Sequence, residues 1–371
     1  MKKLLTFLAV FSFCVLVFAS DKEEAKSLKS NFVLGNPSIQ SMNALSFGPE
    51  GILFIGDSKS ASVFAIETGD EELVEKPEAL DIQNIDLKLA EALGTTIEHI
   101  TIQDMAVNPL SKKVYLSIHH SNGTPVLVAI DNENIESIDI SNIMYSKVEI
   151  GDAVASDAKD RRGRSLRKWA ISDLGYDDGK VMVSGLSNQE FSSTFRSIPF
   201  PFTESQDYAS LEIYHAAHGR YETYAPIKTF TSAKINGQPN LIASYTCTPL
   251  VLFPMSELTS GVHVKGRTVA ELGNGNTPLD MITMEKDGET YLLMANSNRA
   301  VMKISFKDIA AYQESLTEPV KERAATRGVN FIALPMVNVL QLDKLDDTQF
   351  VLIQRKSNGD LNLSTATNRW L

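Results

Sequence analysis

The chain has 371 residues, 43% hydrophobic and 22% charged, with 35 Lys and Arg against 46 Asp and Glu and a formal net charge of −11. This acidic balance argues against nucleic acid and anionic membrane surfaces as partners, since both reward a basic patch. Cys14 and Cys247 are the only cysteines, too few for a disulfide-stapled scaffold, so an ordinary apolar core must hold the fold.

Lys2 and Lys3 precede an apolar run from Leu4 to Phe18 and the small pair Ala19-Ser20, the three regions of a secretory signal. A retained span needs about 18 or more apolar residues, so cleavage near Ser20 or Asp21 is expected. Residues 1–20 then form a signal peptide, 21–30 a charged, flexible lead-in, and 31–371 a single domain. Phe11-Ser12-Phe13 before Cys14 lacks a lipoprotein pattern. Cleavage leaves Cys247 alone, no transmembrane anchor, and an exported protein, periplasmic or extracellular.

Asn31 to Leu34 reads as a lone strand. Asn43–Phe47, Ile52–Asp57 and Ala61–Ile66 follow as three apolar runs divided by a Gly/Pro-rich turn and a polar turn, the pattern of an antiparallel meander. Asp86–Leu93 has helical spacing and predicts a short inserted helix. Further meanders begin at Asp104, Trp169, Ile227, Pro278 and Val337, so units recur roughly every 50 to 65 residues, as in propellers and solenoids. Between them, Ile135–Ile140, Leu211–Tyr214, Val262–Val269 and Val329–Leu334 supply fourth strands. The basic stretch Lys159, Arg161, Arg162, Arg164 and Arg167 reads as a solvated loop.

Four strands per unit is the blade of a β-propeller. The fold class is all-β, with six four-stranded blades, or seven if one lies within Ser141–Trp169 or Pro199–Tyr224. The last unit stops after its third strand, and Asn31–Leu34 is expected to complete it and close the ring. The repeat of apolar strand, Pro/Asp/Gly turn, apolar strand and polar turn resembles the NHL-like and YVTN-like propeller repeats over most of the chain. That resemblance implies the fold and no particular activity.

In a propeller the loops between second and third strands share a face with those that lead from blade to blade. On these loops fall Asp104, Lys168, Lys228, Tyr245, Asn276, Asp280, Asn296 and Arg299, the candidate ligand-binding residues. The same face carries His119-His120, His215-Ala-Ala-His218 and Cys247. Imidazole and thiolate together favour zinc or copper over magnesium; the alternatives are loop hydrogen bonding for the histidines and a buried small hydrophobe for the cysteine. The leading expectation is an exported binding or scaffold module that presents a polar, His-containing central face to a small molecule or protein. The other is a copper- or zinc-dependent oxidoreductase with its site at the central channel.

Overall fold

A computed structural model describes residues 27–371, which form a six-bladed β-propeller with few helices. The expected signal peptide and most of the lead-in lie outside the described residues. Blades are numbered here by the order of their innermost strands: Ala44–Phe47, Ile100–Val107, Asp173–Asp177, Thr229–Ile235, Pro278–Lys286 and Val339–Lys344. Among the described residues no helix is long and apolar enough to cross a membrane.

Alternation within each strand builds the seams between blades, because successive side chains point to opposite faces of a sheet. Ile52 and Phe54 pack with Ile171, Leu174, Val181 and Val183 of the third blade. Leu53 and Ile55, one step out of phase, pack with Ala106 and Tyr115 of the second. Both faces of the strand are thereby buried, which is why Ile52–Asp57 reads as a continuous apolar run. Three further clusters fill the seams three–four, four–five and five–six. The second blade shares the remaining one with the sixth.

The ring therefore runs one, three, four, five, six, two and back to one, and the sequence order of the first two blades is exchanged. After Ser62–Glu67, the third strand of blade one, the chain crosses the second blade. Asp70 fixes the crossing by accepting hydrogen bonds from Asn108 Nδ2 (3.0 Å), Ser111 Oγ (2.5 Å) and Tyr115 OH (3.1 Å). Asp81–Ile82 then becomes the outer strand of blade six, a short helix at Ile85–Ala92 follows, and blade two is built. Ile143–Glu149 returns to complete blade one, pairing with Ser62–Glu67.

The ring is thus not closed by the N-terminal strand as expected. Val33–Gly35 pairs with Ile143–Glu149 on the outside of blade one, where Val33 and Leu34 are 55% and 65% exposed, whereas Ile82 is 4% exposed. Ile82, Ile85 and Leu89 pack into the seam of blades two and six, while Phe32 is drawn into that of blades one and three. Burial of these apolar groups decides the closure. The region Ser141–Trp169 holds the missing strand of blade one, and the described residues form no seventh blade. Val262–Val269 is also divided: His263–Lys265 pairs in parallel with Asp207–His215 of blade three, and Arg267–Glu271 is the outer strand of blade four.

The connection after the helix Phe306–Ala311 of blade five forms a strap over blade four. Leu316 N donates to Thr268 O (2.8 Å), Val320 N to Ala216 O (2.9 Å), and Arg327–Gly328 adds a short strand beside Ala270–Glu271. The strap thereby reaches the segment that carries His215 and His218.

Candidate metal centre

Among the described residues, carboxylates and no histidine line the central channel. Asp104, Asp173, Asp280 and Asp343 line a cavity of about 520 Å³ enclosed by the inner strands. Each staples its blade to the next: their Oδ2 atoms accept from the backbone N–H groups of Leu45 (2.7 Å), Phe230 (2.9 Å), Leu342 (2.7 Å) and Val107 (2.6 Å) respectively. Turned so that its amide nitrogen faces them, Gln341 donates to both Asp280 and Asp104 at 3.1 Å.

Enclosure disfavours charge on these groups. Burial, then the charge of Asp280, pushes Asp173 up to about 8. Burial pushes Asp343 to about 6. Asp104 and Asp280 are raised well above the carboxylate range by burial first, then by Asp173 and Asp104 respectively. The layer is a set of protonatable clamps, each accepting one backbone N–H across a blade boundary.

A cluster of His215, His218 and Cys247 lies off the channel, in the seam between blades three and four. His215 ends Asp207–His215, the outer strand of blade three, and a tight turn leads into Arg220–Glu222. The pairing of His215 with Arg220 and of Ile213 with Glu222 places Glu222 diagonally beside His215 on one face of this hairpin. Glu222 accepts from His215 Nδ1 at 2.9 Å and His218 Nδ1 at 2.8 Å. Arg220 Nε (3.1 Å) and Tyr224 OH (3.0 Å) also donate to it. Burial alone would raise this carboxyl, but the hydrogen bonds and charge around it hold it at about 2.

An ionised carboxylate only accepts, so both Nδ1 atoms carry a proton, and Nε2 is the nitrogen of each ring that Glu222 does not engage. The rings lie 3.8 Å apart between centroids. His215 is 2% exposed, and its Nε2 is buried without a hydrogen-bond partner. Such a group is costly to leave unmatched.

Cys247 approaches from the loop between Gln238–Ser244 and Pro249–Pro254, the second and third strands of blade four. Cys247 and Thr248 both adopt left-handed backbone, with φ of 71° and 59°, an unfavourable conformation for Thr in particular. Cys247 N to Asn276 O (2.8 Å) and Thr248 Oγ1 to Gly273 O (3.0 Å) hold the turn. One ligand atom from each of His215, His218 and Cys247 lies within 4.8 Å of the others. Around a tetrahedral zinc such atoms sit about 3.3 to 3.8 Å apart, inside that limit.

Glu271, the last residue of Arg267–Glu271, reaches the same turn. Its Oε2 accepts from Ala217 N at 3.0 Å, and its Oε1 is buried without a partner. Burial, then the charge of Glu222 against that hydrogen bond, raises it to about 7. Neither glutamate stands out in the sequence as a site residue; Glu222, four residues after His218, was the available signal.

His119 and His120 do not join this cluster. They lie on blade two, which blade one separates from blade three; His119 Nε2 accepts from Met42 N at 2.9 Å, and His120 stacks on His99. Burial lowers the His119 pKa. The expected metal ligands are therefore divided: neither His119 nor His120 joins His215, His218 and Cys247, which lie between blades and not at the channel.

Of the other candidates, Tyr245 is 1% exposed in the core of blades three and four. Asn276 donates to Asn296 Oδ1 (2.9 Å), and Asn296 in turn braces Met294 O (2.9 Å) and Ala300 O (3.2 Å). Arg299 donates to Ala324 O (3.2 Å), anchoring the strap. Lys168 and Lys228 both lie over Trp169.

No family model matches the chain, and no curated protein matches it in sequence. Among solved structures it is similar to a Thermus thermophilus protein described as an oxidoreductase (glucose dehydrogenase), at 10% identity and TM-score 0.38, over 90% of this chain and 100% of that one. It is similar also to extracellular domains 1–2 of Drosophila semaphorin 1b, at 9% identity and TM-score 0.33, over 91% and 86% of the two chains. A luciferin-regenerating enzyme matches at 9% identity and TM-score 0.31, over 90% and 95%. These likenesses carry no argument about chemistry.

Proposed function

We propose that this chain is an exported, metal-dependent propeller that binds one zinc or copper ion through His215 Nε2, His218 Nε2 and Cys247 Sγ. The observation that carries this reading is the carboxylate of Glu222 holding both Nδ1–H groups, which leaves a buried, unpartnered Nε2 beside a second imidazole and a thiol. A carboxylate behind each metal-binding histidine fixes the tautomer and raises ligand basicity. Two nitrogens and one sulfur suit borderline or soft cations. Three protein ligands leave a fourth position for water or substrate, the arrangement of catalytic rather than structural zinc sites. Zinc there would supply Lewis acidity and copper electron transfer. Glu271 is the nearby acid available to a molecule bound at that position.

Export is supported by Lys2, Lys3 and the apolar run Leu4–Phe18, and the N-terminal mass of the chain recovered from cells tests it. The metal reading is tested by elemental analysis of protein expressed from its full chain and loaded separately with zinc and copper. About one tightly held ion per chain is expected, lost in His215→Ala with His218→Ala and retained in His119→Ala. Absence of a stoichiometric ion under either loading condition overturns the reading.

A further inference from the structure

A second cluster at the same seam has the opposite electrostatic character. Trp169 closes the turn Arg167–Trp169, which leads into the inner strand of blade three; Lys228 immediately precedes that of blade four. The Lys228 ammonium lies 3.1 Å from the centroid of the Trp169 ring, and that of Lys168 lies 4.9 Å from it. Two cations are thus gathered on one indole, whose electron-rich face attracts each without neutralising either.

No ion pair or side-chain hydrogen bond engages either ammonium among the described residues. This holds although acidic residues outnumber basic ones by 46 to 35. The neighbouring basic side chains are already employed. Arg167 donates to Val154 O (2.6 Å) and Lys59 O (3.1 Å), and Arg164 is paired with Asp160 at 2.7 Å. Lys168 is exposed, whereas Lys228 and Trp169 are half-buried. Burial first, then the charges of Lys168 and Arg164, lowers Lys228 to about 7. A partly desolvated ammonium beside a like charge lacks the counter-charge that ordinarily accompanies it.

We propose that Lys168 and Lys228, set on Trp169 at the seam of blades three and four, bind the carboxylate or phosphate group of a small anionic ligand. Two ammoniums converging from adjacent blades suit an oxyanion, which accepts a charge-assisted hydrogen bond from each. The Trp169 ring, 3.1 Å from the Lys228 ammonium, shields one side of that contact from water. This site involves none of the proposed metal ligands and stands whether or not a metal binds.

The test uses Trp169 as its own reporter. Trp370→Phe leaves it as the sole tryptophan, and its fluorescence is followed in the full chain during titration with inorganic phosphate and, separately, with acetate, at ionic strength held constant with chloride. At least one of the two should give a saturable response, and which one does so distinguishes phosphate from carboxylate ligands. Lys228→Met and Lys168→Met should each weaken that binding by about tenfold or more, as loss of a charge-assisted hydrogen bond implies. Lys168 is exposed, so its variant keeps the test decisive if Lys228→Met fails to fold. Linear responses to both anions, or undiminished affinity in Lys168→Met, overturn the proposal.

Discussion

Replacing Asp173 by Asn separates the two consequences of burying carboxyls in the channel. The folded pKa of Asp173 is about 8 against an ordinary value of 3.8. Between these values the folded chain keeps a proton that the unfolded chain has released, so the carboxyl's contribution to stability declines as pH rises from about 4 to 8. At about 1.4 kcal/mol per pKa unit, the decline is at most on the order of 6 kcal/mol. Because Asp173 faces the cavity, water there screens part of this. Asn does not ionise, but its amide nitrogen cannot accept, so one of the bonds from Phe230 N (2.9 Å) and Leu174 N (2.8 Å) is lost. That loss costs about 1–3 kcal/mol at every pH. D173N should therefore be less stable than the native chain at pH 4 and equal or more stable at pH 8. Urea unfolding followed by circular dichroism at half-unit pH steps measures the crossing. The slope falls without vanishing, because Asp104, Asp280 and Glu271 titrate in both proteins. Two curves separated by a constant offset would refute protonation of the channel carboxyl.

Glu222→Gln should lower zinc affinity about 10- to 100-fold with the fold intact, because an amide has one acceptor oxygen for two imidazole N–H groups; competition with a chromophoric chelator measures it, and unchanged affinity would disprove the orienting role. Gly185→Ala should cost at least about 2 kcal/mol of stability, since the new methyl would meet Ala170 O at 2.1 Å; an unshifted melting temperature contradicts this. Ile82→Asp should destabilise by about 3 kcal/mol or more through a buried unpaired charge. Val33→Ser with Leu34→Ser should change stability by less than about 1 kcal/mol, as exposed positions do, and the reverse order in chemical unfolding would favour closure by the N-terminal strand.

The inner blades were legible because their physical signals are local. Apolar runs of strand length broken by Asp-Gly, Asn-Gly or Gly-Pro, as in Asn43–Asp57 and Pro278–Asn296, define meanders wherever they fall. The ring order was not legible, because it depends on which seam an apolar residue enters. Ile52 and Phe54 differ from Leu53 and Ile55 in direction more than in chemistry, so nothing in the run declares that one pair meets blade three and the other blade two. The outer strands were obscured by brevity: Asp81–Ile82 and Ile332–Ala333 are two residues each, too short for periodicity to register.

The candidate site divides along the same line. His215, His218 and Cys247 are conspicuous as residue types, but residue type alone grouped them with His119 and His120, which a whole blade holds apart. Glu222 was hidden in the polar stretch Arg220-Tyr-Glu-Thr-Tyr224, and becomes visible only once His215 is known to pair with Arg220, since residues two apart along a strand share a face. The channel acids had a signal that alignment of the units would have exposed: Asp104-Met105, Asp173-Leu174 and Asp280-Met281 place an acid before a large apolar residue at one position in three blades. The exchanged blade order then determines what each acid does. Asp104 reaches back to Leu45 of the blade that precedes it in sequence, and Asp343 reaches Val107 across the closure. The same enclosure that makes these carboxyls unfavourable to ionise therefore holds them where they clasp the permuted ring, whereas His215 Nε2 and Glu271 Oε1, at the seam of blades three and four, stay buried without a partner.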